Sequence, residues 1–347
     1  MPYQMGVAND QHDLIDKLRL FLIENGWTVN LYADDASSYR TFNNSSSTQG
    51  KRLHVSRNGR FLNFRTATRA TVYSSFNDYG SVSVDGITQY YSQFTGIAFY
   101  RSTGFDAAKS WDNQPGNTSW SPDITKTMGA GCRVIGAVPS YRFFLLNDPF
   151  LLFVAIEYEV GKFRHMLMCD LQKYGDFVGG ELHAGPTPMG EPNRSQGWDG
   201  VPLGPNYTAS SGYGYHCAIR AVGLGQNGAD WCRSYASPSD NNLRTLPIQD
   251  ASESTLLGSG DFDFAMLACM PSNYTGIVPL VPLRLARNVA DGECQLLGEV
   301  PGLKVTRSGY KAGDIITMGA DRWMVVPLQA TPVSSPAVHF AVPYDGV

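Results

Sequence analysis

One stretch of the chain repeats its apolar residues at helical spacing. Leu14, Ile15, Leu18, Phe21 and Leu22 fall on one face of residues 10–26, Asn9 or Asp10 is placed to cap the start, and Asn25-Gly26 supplies a left-handed stop. The pattern predicts one amphipathic helix of about four turns. Trp27 to Tyr32 then alternates as a strand, so the helix feeds a sheet edge.

Beyond Lys51 the patterning is that of strands. Arg52–Ser56 and Arg60–Arg65 flank Arg57-Asn58-Gly59, and Asn-Gly favours a two-residue hairpin turn because both residues tolerate positive φ. Gly96–Arg101 reads as another strand. The densest apolar region, Tyr141–Tyr174, is broken by Asn147-Asp148-Pro149 and Gly161-Lys162 into three runs of strand length, a buried three-stranded meander at the centre of the core. Residues 184–215 are rich in Gly, Pro, Ser and Asn without periodicity and read as a long loop or exposed arm. Further strands are predicted at 215–222, 229–235 and 262–270, and residues 277–285 lead into the C-terminal part of the chain. The last 55 or so residues, with the turn Val300-Pro301-Gly302, the edge Gly313-Asp314, the hairpin Gly319-Ala320-Asp321-Arg322-Trp323 and the terminal Tyr344-Asp345-Gly346, describe a compact β module.

The fold class expected from this pattern is mainly β: a sandwich or partly closed barrel with one N-terminal amphipathic helix and long loops. The organisation divides into residues 1–183 (helix plus main β domain), 184–290 (a loop-rich β region or insertion) and 291–347 (the C-terminal β module), although that last module is also compatible with membership of the same core.

Composition sharpens this picture. Charged residues make up 17% of the chain, below the roughly 25% of ordinary soluble domains, so much of the surface is polar-neutral or covered by partners. The net charge of −4, with no run of lysine or arginine, leaves no electrostatic footprint for a sequence-specific nucleic-acid binder; a low-affinity DNA conduit is still compatible with it. The first residues have neither a basic start nor an apolar core, and no run approaches the ~18 apolar residues of a membrane span, so no membrane span and synthesis in a cytosol are expected. The six cysteines lack a CxxC pair and sit mostly in apolar, strand-like surroundings, the pattern of buried reduced thiols.

Candidate chemistry is sparse. His12, His54, His165, His183, His216 and His339 never fall in HxH, HxxxH or HExxH spacing, which disfavours zinc or non-haem iron. His165 reads as an imidazole filling one sheet face. Asp34-Asp35 and Asp261-Phe262-Asp263 are paired acids, and Glu157 and Glu159 would share a strand face about 7 Å apart, a spacing a glycoside hydrolase can use. Alternation along a half-solvated strand produces the same pair without any cleft. The Gly-x-Gly stretches before His216 and at Val222–Gly225 complete neither a dinucleotide nor a P-loop fingerprint and are turn glycines. No catalytic, cofactor or metal residue is assigned, and the chain is read as a non-enzyme. Aromatic residues on presumed loops, Tyr73, Phe76, Tyr79, Tyr90, Tyr91, Trp111, Trp120 and Trp198, fit protein interfaces better than sugar stacking, given how few charges accompany them, although for any single one core packing is the commonest fate.

Four stretches carry a family resemblance: Asp13–Val29, Gly104–Gly116, Gly161–Gly180 and the terminal module. Together they resemble virion structural proteins of tailed bacteriophages, the neck, collar, tail or baseplate components. The resemblance implies a non-enzymatic virion part, assembled in the host cytoplasm as a ring or multimer with copies of itself and other virion proteins, and it transfers no catalytic residue. A receptor- or glycan-binding tail or baseplate protein is the alternative, and a polysaccharide-degrading enzyme a more distant one. Within Gly104–Gly116, the rigid apolar groups Phe105, Trp111 and Pro115 stand among Asp106, Asp112 and Gln114, a mixture suited to fixing a loop in one shape. Phe105, Asp106, Trp111, Asp112 and Pro115 are therefore the candidate interface or loop-fixing residues, because a repeated subunit contact needs the same surface on every copy.

Overall fold

The computed structural model describes residues 1–35, 50–71, 81–84, 87–90, 93–117, 130–185, 217–225, 229–233, 243–246, 279–289, 294–307, 310–327 and 338–345. Its elements run β1 (Tyr3–Ala8), α1 (Gln11–Glu24), β2 (Thr28–Asp35), β3 (Gly50–Arg57), β4 (Arg60–Thr71), β5 (Ser81–Val84), β6 (Ile87–Tyr90) and β7 (Gln93–Ser102). A short 3-10 turn at Trp111–Asn113 precedes β8 (Ala130–Arg133), β9 (Val138–Asn147), β10 (Phe150–Glu159), β11 (Lys162–Asp170), β12 (Gln172–Lys173) and β13 (Gly179–Ala184). There follow β14 (Cys217–Ala221), β15 (Trp231–Arg233), β16 (Leu243–Leu246), β17 (Val281–Asn288), β18 (Cys294–Arg307), β19 (Ile315–Met318), β20 (Asp321–Pro327) and β21 (Val338–Pro343). The protein is mainly β, its strand pairs are antiparallel, and among the described residues no sheet closes into a barrel.

The predicted helix starts where the sequence places it. The Asp10 carboxylate accepts the backbone N–H groups of His12 and Asp13, two of the donors a helix leaves unpaired at its start. Asn25 ends the helix and Gly26 follows at φ +80°. The first hairpin is equally local: Asn58 (φ 49°) and Gly59 (φ 76°) occupy the left-handed region, and β3 pairs with β4 in the register that this two-residue turn dictates, Arg57 opposite Arg60 and His54 opposite Asn63.

The meander of β9, β10 and β11 lies within a seven-stranded sheet ordered β1-β9-β10-β11-β13-β14-β15. This sheet is a middle layer, and both faces of its central strands are buried. Phe144, Leu151, Phe153, Ala155 and Leu167 point to one side, where they meet Leu285, Leu297, Val305, Val326 and Phe340 of the sheet β16-β17-β18-β21-β20-β19. Phe143, Leu145, Leu152, Val154 and Met168 point to the other side, against α1 and the sheet β2-β3-β4-β7-β8. A strand covered on both faces has no solvent side to mark with polar residues, which is why this stretch reads as an unbroken apolar run. Residues from 1–183, 184–290 and 291–347 thus contribute to one apolar layer, with Phe153, Cys217 and Phe340 among them.

The helix fills the space between the middle sheet and the β2–β8 sheet. Leu14, Ile15, Leu18, Phe21 and Leu22 are buried, and the Phe21 ring lies 5.5 Å from that of Phe143. Leu18→Ala is expected to cost about 2–4 kcal/mol, the range for a buried leucine truncated with partial collapse of the cavity. Urea unfolding at constant m-value measures it, and an unchanged midpoint would mean that the helix is not docked. Polar links tie the same two layers. Asp170 on β11 receives Arg101 from β7 at 2.9 Å and Arg60 from β4 at 2.5 Å, while Arg101 also donates to the Cys169 carbonyl at 2.8 Å. The strand expected at 262–270 and most of the loop expected at 184–215 lie outside the described residues.

Candidate interaction loop

The loop that follows β7 is held at its neck, centre and base. At the neck, the Thr103 N–H donates to the Pro115 carbonyl at 2.8 Å. Gly116, at φ +69°, completes the closure; a Cβ there would stand 2.3 Å from Thr103 Oγ1, so only glycine fits both the conformation and the space. Pro115 also packs on Gly104, where an added Cβ would come within 3.2 Å of the proline ring.

The centre is built on Gln114, 2% exposed. Its Oε1 accepts the Asp106 N–H at 2.8 Å, and its Nε2 lies within 3.1–3.2 Å of the carbonyls of Asp106, Ser110 and Lys109. One buried amide thereby meets one N–H and three carbonyls of the loop, two of which, those of Asp106 and Ser110, also accept the Lys109 and Asn113 N–H groups, and so helps to satisfy the enclosed irregular backbone. Asp106 adds a local turn by accepting the Ala108 N–H at 2.9 Å. Trp111 is buried, with its ring edge-on to Tyr100 at 4.8 Å, and the Tyr100 hydroxyl donates to the Trp111 carbonyl. Phe105 is half-buried, 5.1 Å from the His54 ring. Asp112 lies in the 3-10 turn between Trp111 and Asn113.

The base is a chain of hydrogen bonds through three strands. His54 Nδ1 lies 2.6 Å from Asn63 Oδ1, Asn63 Nδ2 donates to Ser102 Oγ at 2.9 Å, and Ser102 Oγ donates to the Gly104 carbonyl at 2.8 Å. With the Asn63 oxygen facing the imidazole, Nδ1 carries the proton. From the middle sheet, Trp231 Nε1 donates to the Gly116 carbonyl at 3.2 Å.

Of the five residues singled out in the sequence, Asp106 and Pro115 make contacts within the loop, and Phe105 and Trp111 pack on His54 and Tyr100 of the strands beneath it. Trp111 is turned inward, so the surface this loop offers is formed by others: Ala107, Ala108, Lys109, Ser110 and Asn113 are exposed. Gln114, in the sequence only one of the polar side chains around these groups, is the centre of the loop, and His54, Asn63 and Ser102 are not among the sequence candidates. The His54–Asn63 pair was accessible in principle, because the Asn58-Gly59 turn places those two residues opposite each other.

Among the described residues the other candidate groups do not converge. Glu157 Oε1 accepts the Gly161 N–H at 2.8 Å and so closes the β10–β11 turn, and the strand register shifts between Glu157 and Glu159. Asp34 pairs with Lys51 at 2.5 Å. His165 is buried between the rings of Phe153 (5.4 Å) and Phe340 (5.5 Å). Among the described residues no three His, Cys, Asp or Glu side chains are placed to hold a metal ion, and no helix is long and apolar enough to cross a membrane. His216, Asp261 and Asp263 lie outside the described residues, as do Tyr73, Phe76, Tyr79, Tyr91, Trp120 and Trp198.

Cys132, Cys169, Cys217 and Cys232 carry buried thiols. Burial raises all four thiols, Cys132 to about 12 and Cys232 to about 11, because the thiolate is the form that loses most by leaving water. Alkylation of these four in the native protein near neutral pH, followed by peptide mapping, is expected to be slower than in the unfolded chain by on the order of 100-fold or more. Rapid native labelling of any of them would show that its strand opens readily.

No protein-family model matches the chain, and no curated protein matches it.

Proposed function

We propose that the chain is a non-enzymatic structural component of a tailed-phage virion, assembled as a ring or multimer in the neck, collar or tail from copies of itself and other virion proteins. The observation that carries this reading is the loop at 103–117. It coincides with one of the stretches that resemble such proteins, and its shape is set by a buried glutamine, a buried tryptophan and a closed neck. A contact repeated around a ring has to be identical in every copy, and a loop whose backbone is satisfied internally meets its neighbour with little ordering entropy left to lose. Lys109 lies on the exposed rim, beside the small or neutral residues Ala107, Ala108, Ser110 and Asn113.

The reading is tested by a stop codon early in the gene, carried by the phage that encodes the chain. Non-suppressing cells should yield incomplete, non-infectious particles, with infectivity restored when the chain is supplied from a plasmid. Normal, infectious particles lacking the chain would contradict the proposal.

A further inference from the structure

The first turn of α1 is fastened to β4 through an imidazole. His12 Nδ1 lies 2.8 Å from Thr66 Oγ1, and Nε2 lies 3.2 Å from Thr68 Oγ1. Beside it, Gln11 Nε2 donates to Thr68 Oγ1 at 2.9 Å and to the Ala67 carbonyl at 3.2 Å. The fastening sits at the end of β4 where its pairing with β7 shifts register, between Ala67 and Ala70, so the ladder is weakest where the side chains take over.

The partners constrain the proton positions. Thr66 Oγ1 already accepts the Lys51 N–H at 2.7 Å, which leaves the hydroxyl hydrogen free to point at His12 Nδ1. The same holds at the other nitrogen, where Thr68 Oγ1 accepts Gln11 Nε2 and Gln11 Nε2 itself lies 3.3 Å from His12 Nε2, so in the neutral ring one nitrogen accepts and the other donates. A second proton would have to enter at whichever nitrogen accepts, turning its donor partner away and leaving an Nε2 proton against the Gln11 amide donor. It would also place a cation in the first turn of a helix, where the aligned peptide dipoles are positive. The charged groups facing the ring are Asp10 from the helix cap, Lys51 from β3 and Asp34 from β2; Lys51 and Asp34 are paired with each other.

We propose that His12 is an acid-sensitive latch: the neutral imidazole clasps the start of α1 to the outer end of β4, and protonation releases this corner while the middle sheet stays folded. This stands independently of the virion reading. Burial lowers the affinity of His12 for its second proton, ahead of the opposing pull of Asp10. The sign follows: as pH falls, the open form takes up the proton first, so the latch holds fully above the ordinary imidazole range near 6.5 and weakens as pH drops through and below it. His339 on β21 is buried and lowered in the same direction, so global stability alone would not separate the two.

Hydrogen exchange of the full chain separates them. Corrected for intrinsic rates, amides of 11–18 and 64–71 should exchange faster at about pH 5.5 than at about pH 7.5, by on the order of 3–10-fold, while those of β10 keep their protection. In His12→Gln, which keeps an amide between the threonines but cannot titrate in this range, that local acceleration should vanish. The His12 ring of the wild-type protein should titrate by NMR below the ordinary value, a readout that does not depend on the variant folding. A normal or raised midpoint, unchanged local exchange in the wild type, or the same acceleration in His12→Gln would each overturn the latch.

Discussion

Phe153→Ala is expected to lower the unfolding free energy by about 3–5 kcal/mol, the range for a buried phenylalanine whose cavity cannot collapse. Phe153 is fully buried on the middle sheet, and its ring meets Phe144 at 6.0 Å, His165 at 5.4 Å and Phe340 at 5.4 Å. Phe144 and His165 belong to the neighbouring strands, but Phe340 belongs to β21, almost 190 residues away in sequence. The loss should therefore be felt by the middle sheet and the C-terminal strands together. Denaturation followed by hydrogen exchange at two places, the protection of β20 and that of β10, should move by the same amount. A shift in one probe alone would mean that residues 291–347 unfold as a separate unit.

Trp111→Ala should have an effect of similar size, about 3–5 kcal/mol if the loop is coupled to the sheets beneath it. Its ring is enclosed against Tyr100, and its carbonyl is the acceptor of the Tyr100 hydroxyl, so truncation opens a cavity at the same place where a buried hydroxyl depends on the loop backbone. The loop should then lose its single conformation. Limited proteolysis reads this directly, with new cleavage expected between 103 and 117 in the alanine variant and little in Trp111→Phe, which retains a ring. On the structural reading of the protein, the alanine variant should also fail to enter particles even when it remains soluble. A loop that stays protease-resistant in Trp111→Ala would show that Gln114 and the neck suffice without the tryptophan.

Much of the local architecture was legible because its causes are local. The helix was visible in the spacing of Leu14, Leu18 and Leu22, and the first hairpin in Asn58-Gly59, whose positive φ values fix the register of β3 against β4. The meander was visible as three apolar runs between breakers. What its pattern did not disclose was the layer order: Phe143 and Phe144 are adjacent in sequence but face opposite neighbours, and identical residue types serve both sides. Choosing between a sandwich and a partly closed barrel depended on contacts between strands far apart in sequence, such as β10 with β21, which leave no mark in either segment alone. The loop was half legible. Phe105, Trp111 and Pro115 stand out as rigid groups in a polar stretch, whereas Gln114 looks like any surface amide until the four backbone groups around it are seen. That Trp111 turns inward was equally hidden, since a tryptophan on a loop serves an interface or a core with the same neighbours in sequence.

The central claim is that this chain is a repeated, non-catalytic part of a virion. Quantitative mass spectrometry of purified particles, calibrated against a protein of known copy number, tests it most directly. The account predicts that the chain is present in multiple copies, in a number that fits a closed cyclic arrangement, because one heterologous contact repeated around an axis closes into a ring. Absence from mature particles, together with turnover of a glycan or peptide by the isolated chain, would contradict it.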